Sequence, residues 1–227
     1  SKEGQDLALK LATEADVVVE NFRPGTLDNW GLGWEALSAL NPRLIMVHIS
    51  GFGQTGPYRD KPGFGVIGEA MGGLRYLTGQ PGEPSMRVGV SIGDSLSALY
   101  AVIGTLLALQ ERNHSGKGQE IDVALYESVF AMMESLLPEF DASGQVRQPS
   151  GSALPGITPS NAYRCLGGDY VLIAGNGDSI FKRLMGAIGR EDLANDESLA
   201  HNDGRSEQAE MIDAAIQIWA EERSRDT

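Results

Sequence analysis

The chain has 227 residues, with 41% hydrophobic and 22% charged side chains and a net charge of −13. That balance is ordinary for a globular protein, and so strong an acidic excess excludes a nucleic-acid partner, which needs concentrated Lys and Arg. A lone Cys165 rules out an internal disulfide, and three scattered histidines, His48, His114 and His201, leave no ligand-spaced pair for a metal.

Taken in order, the chain opens inside a helical stretch, with Leu7–Leu11 as a helix end, so a segment of a longer protein is expected. Residues 15–20 (ADVVVE) form a β-branched strand of the buried, parallel kind, broken by Asn21-Phe22-Arg23-Pro24-Gly25. One helical turn follows at Thr26–Trp30, then a helix at Trp34–Leu40 stopped by Asn41-Pro42. Leu44–Ser50 is a second apolar strand. Strand, helix and strand in this rhythm predict an α/β sheet with crossovers.

Gly51–Gly56 matches the dinucleotide pattern G-x-G-x-x-G, but Pro57 and Pro62 prevent a helix from opening on those glycines. The glycines are instead expected to bring backbone close to a ligand or a neighbouring chain. Residues 66–71 form a short helix capped by Gly72-Gly73, 74–77 are extended, and 79–84 are a surface loop.

Arg87–Val90 is β-prone and leads through Gly93 to Asp94, after which no charge appears before Glu111. This predicts a helix opened by Asp94 and buried on most sides. The apolar run is too short for a membrane span, so a core helix is expected and no membrane association. Asp94 has two readings, a helix cap or a nucleophilic carboxylate in the field of the helix N-terminus. Gly89–Gly93 also matches G-x-S-x-G, which would make Ser91 the nucleophile of a serine hydrolase or thioesterase. That motif requires a helix directly after the serine and a histidine partner, and neither is evident.

Residues 113–119 read as a tight turn, 120–125 as an alternating strand, and Tyr126–Leu137 as one helix with Val129, Met132, Met133 and Leu136 on one side. A stretch rich in Gly, Ser and Pro marks a linker over 146–160, between a large domain (1–145) and a small α+β domain (161–227). In the latter, residues 161–174 make a hairpin, 180–188 and 211–219 are helices, and 191–208 are a polar loop.

Several segments in fixed order resemble family III CoA-transferases: NFRPG after ADVVVE, GLGWEALSALNPRLIMVHISGFGQTGPYRDKPGF, AMGGL, VGVSIGDS, and SGKGQEIDVALYES. The resemblance runs from about Ala15 to the end of the chain. It implies a Rossmann-like large domain with a smaller α+β domain, from an interlocked homodimer, here without its N-terminal and C-terminal segments. It also implies that Asp94 is the nucleophile and that Asn21, Phe22, Arg23, Gly63 and Phe64 contact coenzyme A. By its residue type alone, Arg23 suits a phosphate or a solvated surface position equally. Some relatives carry a basic residue where Asn29 stands, and a polyglycine lid where this chain has Pro155-Gly156-Ile157-Thr158.

The implied activity is acyl-CoA:carboxylate CoA transfer between small acids, with the CoA thioester as substrate and no metal or tightly bound cofactor. A catalytically silent CoA-binding segment is the remaining alternative. No export leader is visible, so a cytoplasmic location is expected, with a mitochondrial one open because the true N-terminus is not evident.

Overall fold

Three runs of β-branched and aliphatic residues set the centre of the first of two compact units. The computed structural model describes residues 1–226, and the first unit comprises Ser1–Thr78 and Ser85–Gln148. Strands β1 (Val17–Glu20), β2 (Ile45–Ser50) and β3 (Glu120–Ala124) pair in parallel in that order. Val18 stands beside Met46, and His48 beside Asp122. Parallel pairing demands crossovers, and helices supply them on both faces, so both faces of β2 are dry. On one face Leu44 and Met46 pack with Ala12 of α1 (Lys2–Glu14) and Leu37 of α3 (Trp34–Leu40). On the other, Ile45, Val47 and Val123 pack with Ala101 and Ala108 of α6 (Ile92–Ser115). The fold is mixed α/β, as the strand–helix rhythm required.

Between β1 and β2 lies α2 (Thr26–Asn29), and between β2 and α6 lie α4 (Gly65–Met71) and α5 (Leu74–Leu77). Four details differ from the sequence reading. Leu74–Leu77 is a helical turn rather than extended, because Gly73 enters it with a positive φ of 95°. Arg87–Val90 joins no ladder. Asp94 does not cap α6: the Ser91 carbonyl accepts the Ser95 amide at 3.1 Å and starts the helix earlier, leaving Asp94 within the first turn. Finally, Tyr126–Leu137 is broken into α7 (Leu125–Phe130) and α8 (Leu136–Ser143), with Glu134 in the left-handed region at φ 52° between them.

Helix α6 also differs in its surroundings. Gly93, Ser97, Ala101, Ala108 and Arg112 are buried, while Leu99, Val102, Ile103, Leu106 and Leu107 stay 51–66% exposed. Those five lie three and four residues apart, as one helical stripe. By length and composition the helix would also suffice to cross a bilayer, with a mean hydropathy of 1.6 over its most apolar window. It runs on through Asn113 and His114, where a turn was expected, and ends where Gly116 takes φ 73°.

The second unit comprises Gly79–Pro84 and the chain from Pro149 onward. Strands β4 (Ser160–Arg164) and β5 (Tyr170–Ala174) form the antiparallel hairpin. Helices α9 (Asp178–Ala187), α10 (Glu191–Ala194), α11 (Asn202–Glu207) and α12 (Ala209–Glu221) follow. Tyr163, Phe181, Met185, Leu199, Ile212 and Ile216 fill its core. The polar stretch 191–208 is therefore largely helical rather than loop. Its polarity serves an inner group: fully buried Arg205 donates to the carbonyls of Thr158, Asn176, Leu199 and Ala200 and to the Asp178 carboxylate. The Pro155–Thr158 segment is tied to the same helix, since Asn202 donates to the Gly156 carbonyl at 2.7 Å and accepts from the Thr158 amide.

Candidate active site

Parallel sheets collect their loops, and hence their ligands, at the carboxyl ends of the strands. In the first unit that edge carries a cleft of about 480 Å³. All six residues singled out from the sequence line it: Asn21, Phe22 and Arg23 after β1, Gly63 and Phe64 before α4, and Asp94 in the first turn of α6.

Each wall has a local cause. Beyond β1 the chain turns at once, with the Thr26 amide donating to the Arg23 carbonyl at 3.0 Å and Gly25 taking φ 80° to open α2. The Phe22 ring packs edge-on against Trp30, centroids 5.3 Å apart. Beyond β2, Gly51 lies directly on Gly63: a Cβ built on either would come within 2.5 Å of the other's Cα. This contact between two backbones explains Gly51 of the sequence pattern, and Gly63 outside it, without a nucleotide, since no helix opens on Gly51–Gly56. The Gly53 amide then donates to Ser50 Oγ, and the Gln54 amide to Asp122.

Asp94 is exposed to the cleft. Its carboxylate rests against Gly65, where a Cβ would sit 2.8 Å from Oδ2 and 3.0 Å from Oδ1. The preceding Gly93 sits as closely on the Gly65 carbonyl, 3.1 Å from a Cβ built there. The first turns of α4 and α6 thus meet through glycine, and that meeting holds the carboxylate at the cleft wall. Two cations missed in the sequence, Arg59 and Lys61, also line the cleft, with Lys61 Nζ 3.7 Å from the centre of the Tyr58 ring. The signal in the sequence is two cations around Asp60, just before the Pro62–Phe64 loop. With Arg23 they set three positive side chains around one carboxylate, in a chain with net charge −13.

Behind the Asn21–Pro24 wall lies an ionisable cluster in which Glu20 and His48 are buried and Glu120 is exposed. Glu20, 8% exposed, accepts the Phe22 amide on Oε2 at 2.7 Å and bonds His48 Nδ1 through Oε1. Glu120 Oε1 stands 2.9 Å from His48 Nε2, at an angle that makes no hydrogen bond. Burial opposes a charge on His48, but the bond and field of Glu20, with help from Glu120, outweigh it and raise its pKa above the ordinary histidine value.

Ser91 is the residue before α6, so a helix does open directly after it, contrary to the sequence reading, but Ser91 is not among the cleft-lining residues. Among the histidines of its own unit, His48 is engaged with Glu20, and His114 sits at the far end of α6, about 33 Å along the helix at 1.5 Å per residue. His201, in the second unit, pairs with Asp178 at 2.9 Å. No described histidine is bonded to Ser91, which weighs against the hydrolase reading. Among the described residues, no group of three or more His, Cys, Asp or Glu side chains is placed to hold a metal ion.

Comparison with known proteins bears on the chain as a whole. The model of CoA-transferase family III matches residues 1–227. Succinyl-CoA--D-citramalate CoA-transferase of Chloroflexus aurantiacus is 52% identical over 217 residues, 96% of this chain and 54% of that protein. Acetyl-CoA:oxalate CoA-transferase of Acetobacter aceti is 35% identical over 92% of this chain and 54% of its own length. The crystal structure of a CAIB/BAIF family protein from Brucella suis superposes with a TM-score of 0.82 at 37% identity, covering all of this chain and 60% of that one. The chain thus spans about half the length of the curated relatives it matches. Matched over its whole length, it belongs to CoA-transferase family III.

Proposed function

We propose that the full-length protein moves CoA from an acyl-CoA to a small carboxylic acid, with Asp94 as the nucleophile. The observation that carries this reading is the single cleft shared by Asp94, the Asn21–Arg23 loop and the Gly63–Phe64 loop. An oxygen of Asp94 attacks the thioester carbonyl, the C–S bond breaks, and CoA leaves as thiolate with an acyl-aspartyl anhydride behind it. The thiolate attacks the aspartyl carbonyl, expels the donor acid as carboxylate, and leaves an aspartyl-CoA thioester. The acceptor carboxylate attacks that thioester, forming a second anhydride and releasing the thiolate. Attack of the thiolate on the acceptor's acyl carbon yields the new acyl-CoA and frees Asp94. Every step exchanges one acyl bond for another, so the sequence is redox-neutral and splits one hard exchange into easier ones.

Arg23, Arg59 and Lys61 suit the anionic ends of both ligands, the phosphates of CoA and a second carboxylate on the acid. Named relatives act on succinyl-CoA with citramalate or malate, which supports a dicarboxylic substrate class. The exposed stripe of α6 supports an assembly in which the rest of the protein, or a second interlocked copy, covers that face.

The test traps the intermediate. Full-length protein is incubated with succinyl-CoA, quenched with hydroxylamine or borohydride, and digested for mass spectrometry. Modification at Asp94 is expected; modification at Ser91 with Asp94 untouched overturns the proposal. The Asp94→Ala variant should lose transfer and keep CoA binding, and transfer that survives this change returns Asp94 to a structural role.

A further inference from the structure

We propose that Glu20 is a positioning residue for the CoA-binding wall, and that its grip on the Asn21–Pro24 loop is tuned by the protonation of His48. The inference rests on the reading of the cleft as a CoA site. Glu20 is the last residue of β1, is buried, and is not among the residues that line the cleft. One of its oxygens holds the Phe22 amide, the second backbone N–H of the loop whose neighbours Asn21 and Arg23 face the cleft. The other holds His48 on the adjacent strand, where the two residues are register partners. A carboxylate anchored by the sheet therefore fixes a loop amide, and the loop starts from a defined position rather than a flexible one.

A buried carboxylate needs a counter-charge, and the geometry offers one. The charged groups facing the imidazole are Glu20 from β1 and Glu120 from β3, both acidic. Asp122, its register partner on β3, is committed to the Gln54 amide. A protonated His48 balances this cluster. When it loses the proton, Glu20 and Glu120 face each other across a neutral ring, and the loop anchor weakens. The Glu20 and Glu120 carboxylates raise the His48 pKa, which places this change above the ordinary histidine value.

The experiment uses full-length protein and coenzyme A itself as the probe. Calorimetry from pH 6.5 to 9 should show wild-type affinity falling as pH rises. Glu20→Ala should bind CoA roughly tenfold more weakly at the low end, where a charged hydrogen bond is lost. In steady state its KM for acyl-CoA should rise more than its kcat falls. His48→Asn keeps an N–H donor near the Nδ1 position and cannot titrate, so its affinity should lose the excess pH dependence. CoA's own titration is common to both proteins and cancels in the comparison. Wild-type-like affinity in a folded Glu20→Ala protein, or an unchanged pH profile in His48→Asn, overturns the proposal. Should Glu20→Ala fail to fold, the His48→Asn profile still decides. If wild type binds no CoA at all, the functional reading fails, and amide exchange of Phe22 then tests the anchor by itself: faster exchange in His48→Asn or Glu20→Ala supports it, unchanged exchange overturns it.

Discussion

Asp94 meets its surroundings through a side chain that is missing. Gly65 leaves the space in which the carboxylate rests, so a methyl group there must push Oδ2 aside from 2.8 Å. Gly65→Ala is expected to lower kcat by roughly 10- to 100-fold, the cost of misplacing a reacting group by about an ångström, while CoA affinity changes little. Steady-state kinetics beside calorimetry measure both, and a kcat equal to wild type would show that Asp94 is not held where the chemistry needs it. At the cleft's charged end, Arg23→Ala should raise the KM for acyl-CoA. The wild-type KM should itself climb with salt, since exposed ion pairs are screened within about 10 Å at 0.1 M. A KM indifferent to both would remove Arg23 from the ligand's path. At this scale residue type alone left two uses open for Asp94 and for Arg23, and it was the ordered motifs around them that singled them out. Asp94, in an otherwise uncharged run, and Arg23, in NFRPG, stood out. Arg59 and Lys61 did not, because a cation in a turn is ordinarily solvated and only the fold brings theirs to the cleft.

Elements were legible where local chemistry and packing agree. Trp34–Leu40 begins and ends as its apolar spacing and Asn41-Pro42 require, and β2 follows its aliphatic run. Disagreement came where glycine serves packing rather than breaking. Gly93 suggested that α6 starts after it, yet the residue is helical and is a glycine because Gly65 passes so near. The break between α7 and α8 was hidden for the opposite reason, since Ala131–Ser135 contains no Gly or Pro to announce it. At the other end of α6, Gly116 has a left-handed conformation with nothing near its missing Cβ. Gly116→Ala should therefore cost about 1 kcal/mol from backbone strain alone, a drop of about 2–4 °C in melting temperature for a domain this size. Sheet electrostatics give a second expectation. His48 has a raised folded pKa, so the stability it lends is full below about pH 6.5 and is lost as pH rises through the raised value. Melting temperatures of wild type should fall over that interval relative to those of His48→Asn, and parallel curves would exclude the pairing.

Across the whole molecule, totals spoke to class and not to surfaces. Composition pointed to an ordinary globular chain, yet α6 leaves Leu99, Val102, Ile103, Leu106 and Leu107 bare. Periodicity alone reports that a helix is apolar; which neighbour covers each side depends on chain that lies elsewhere. Expressed by itself, residues 1–227 should self-associate, and Ile103→Glu with Leu107→Glu should shift it toward monomer in gel filtration. A wild-type segment that elutes as a monomer at all concentrations would mean this stripe attracts nothing. In the second unit, the polar stretch around Arg205 misled for a related reason. A guanidinium surrounded by carbonyls satisfies a core from within, and its sequence looks like surface.

The inner face of α6 carries a consequence for how Asp94 is placed. Its closest approach to the sheet is through small residues: Ala101 and Ala108 are buried, and a Cβ on Gly104 would come 3.1 Å from Ile121 Cγ2, while Tyr100 and Leu109 pack to either side. A rod of 24 residues thus comes closest to the sheet at its middle, and Asp94 rides near one end of it. Gly104 is then a fulcrum about 15 Å from the carboxylate along the rod. One methyl group at that point is expected to lift the middle and tip the end, so a position remote from the cleft would set the angle at which Asp94, the proposed nucleophile, meets it.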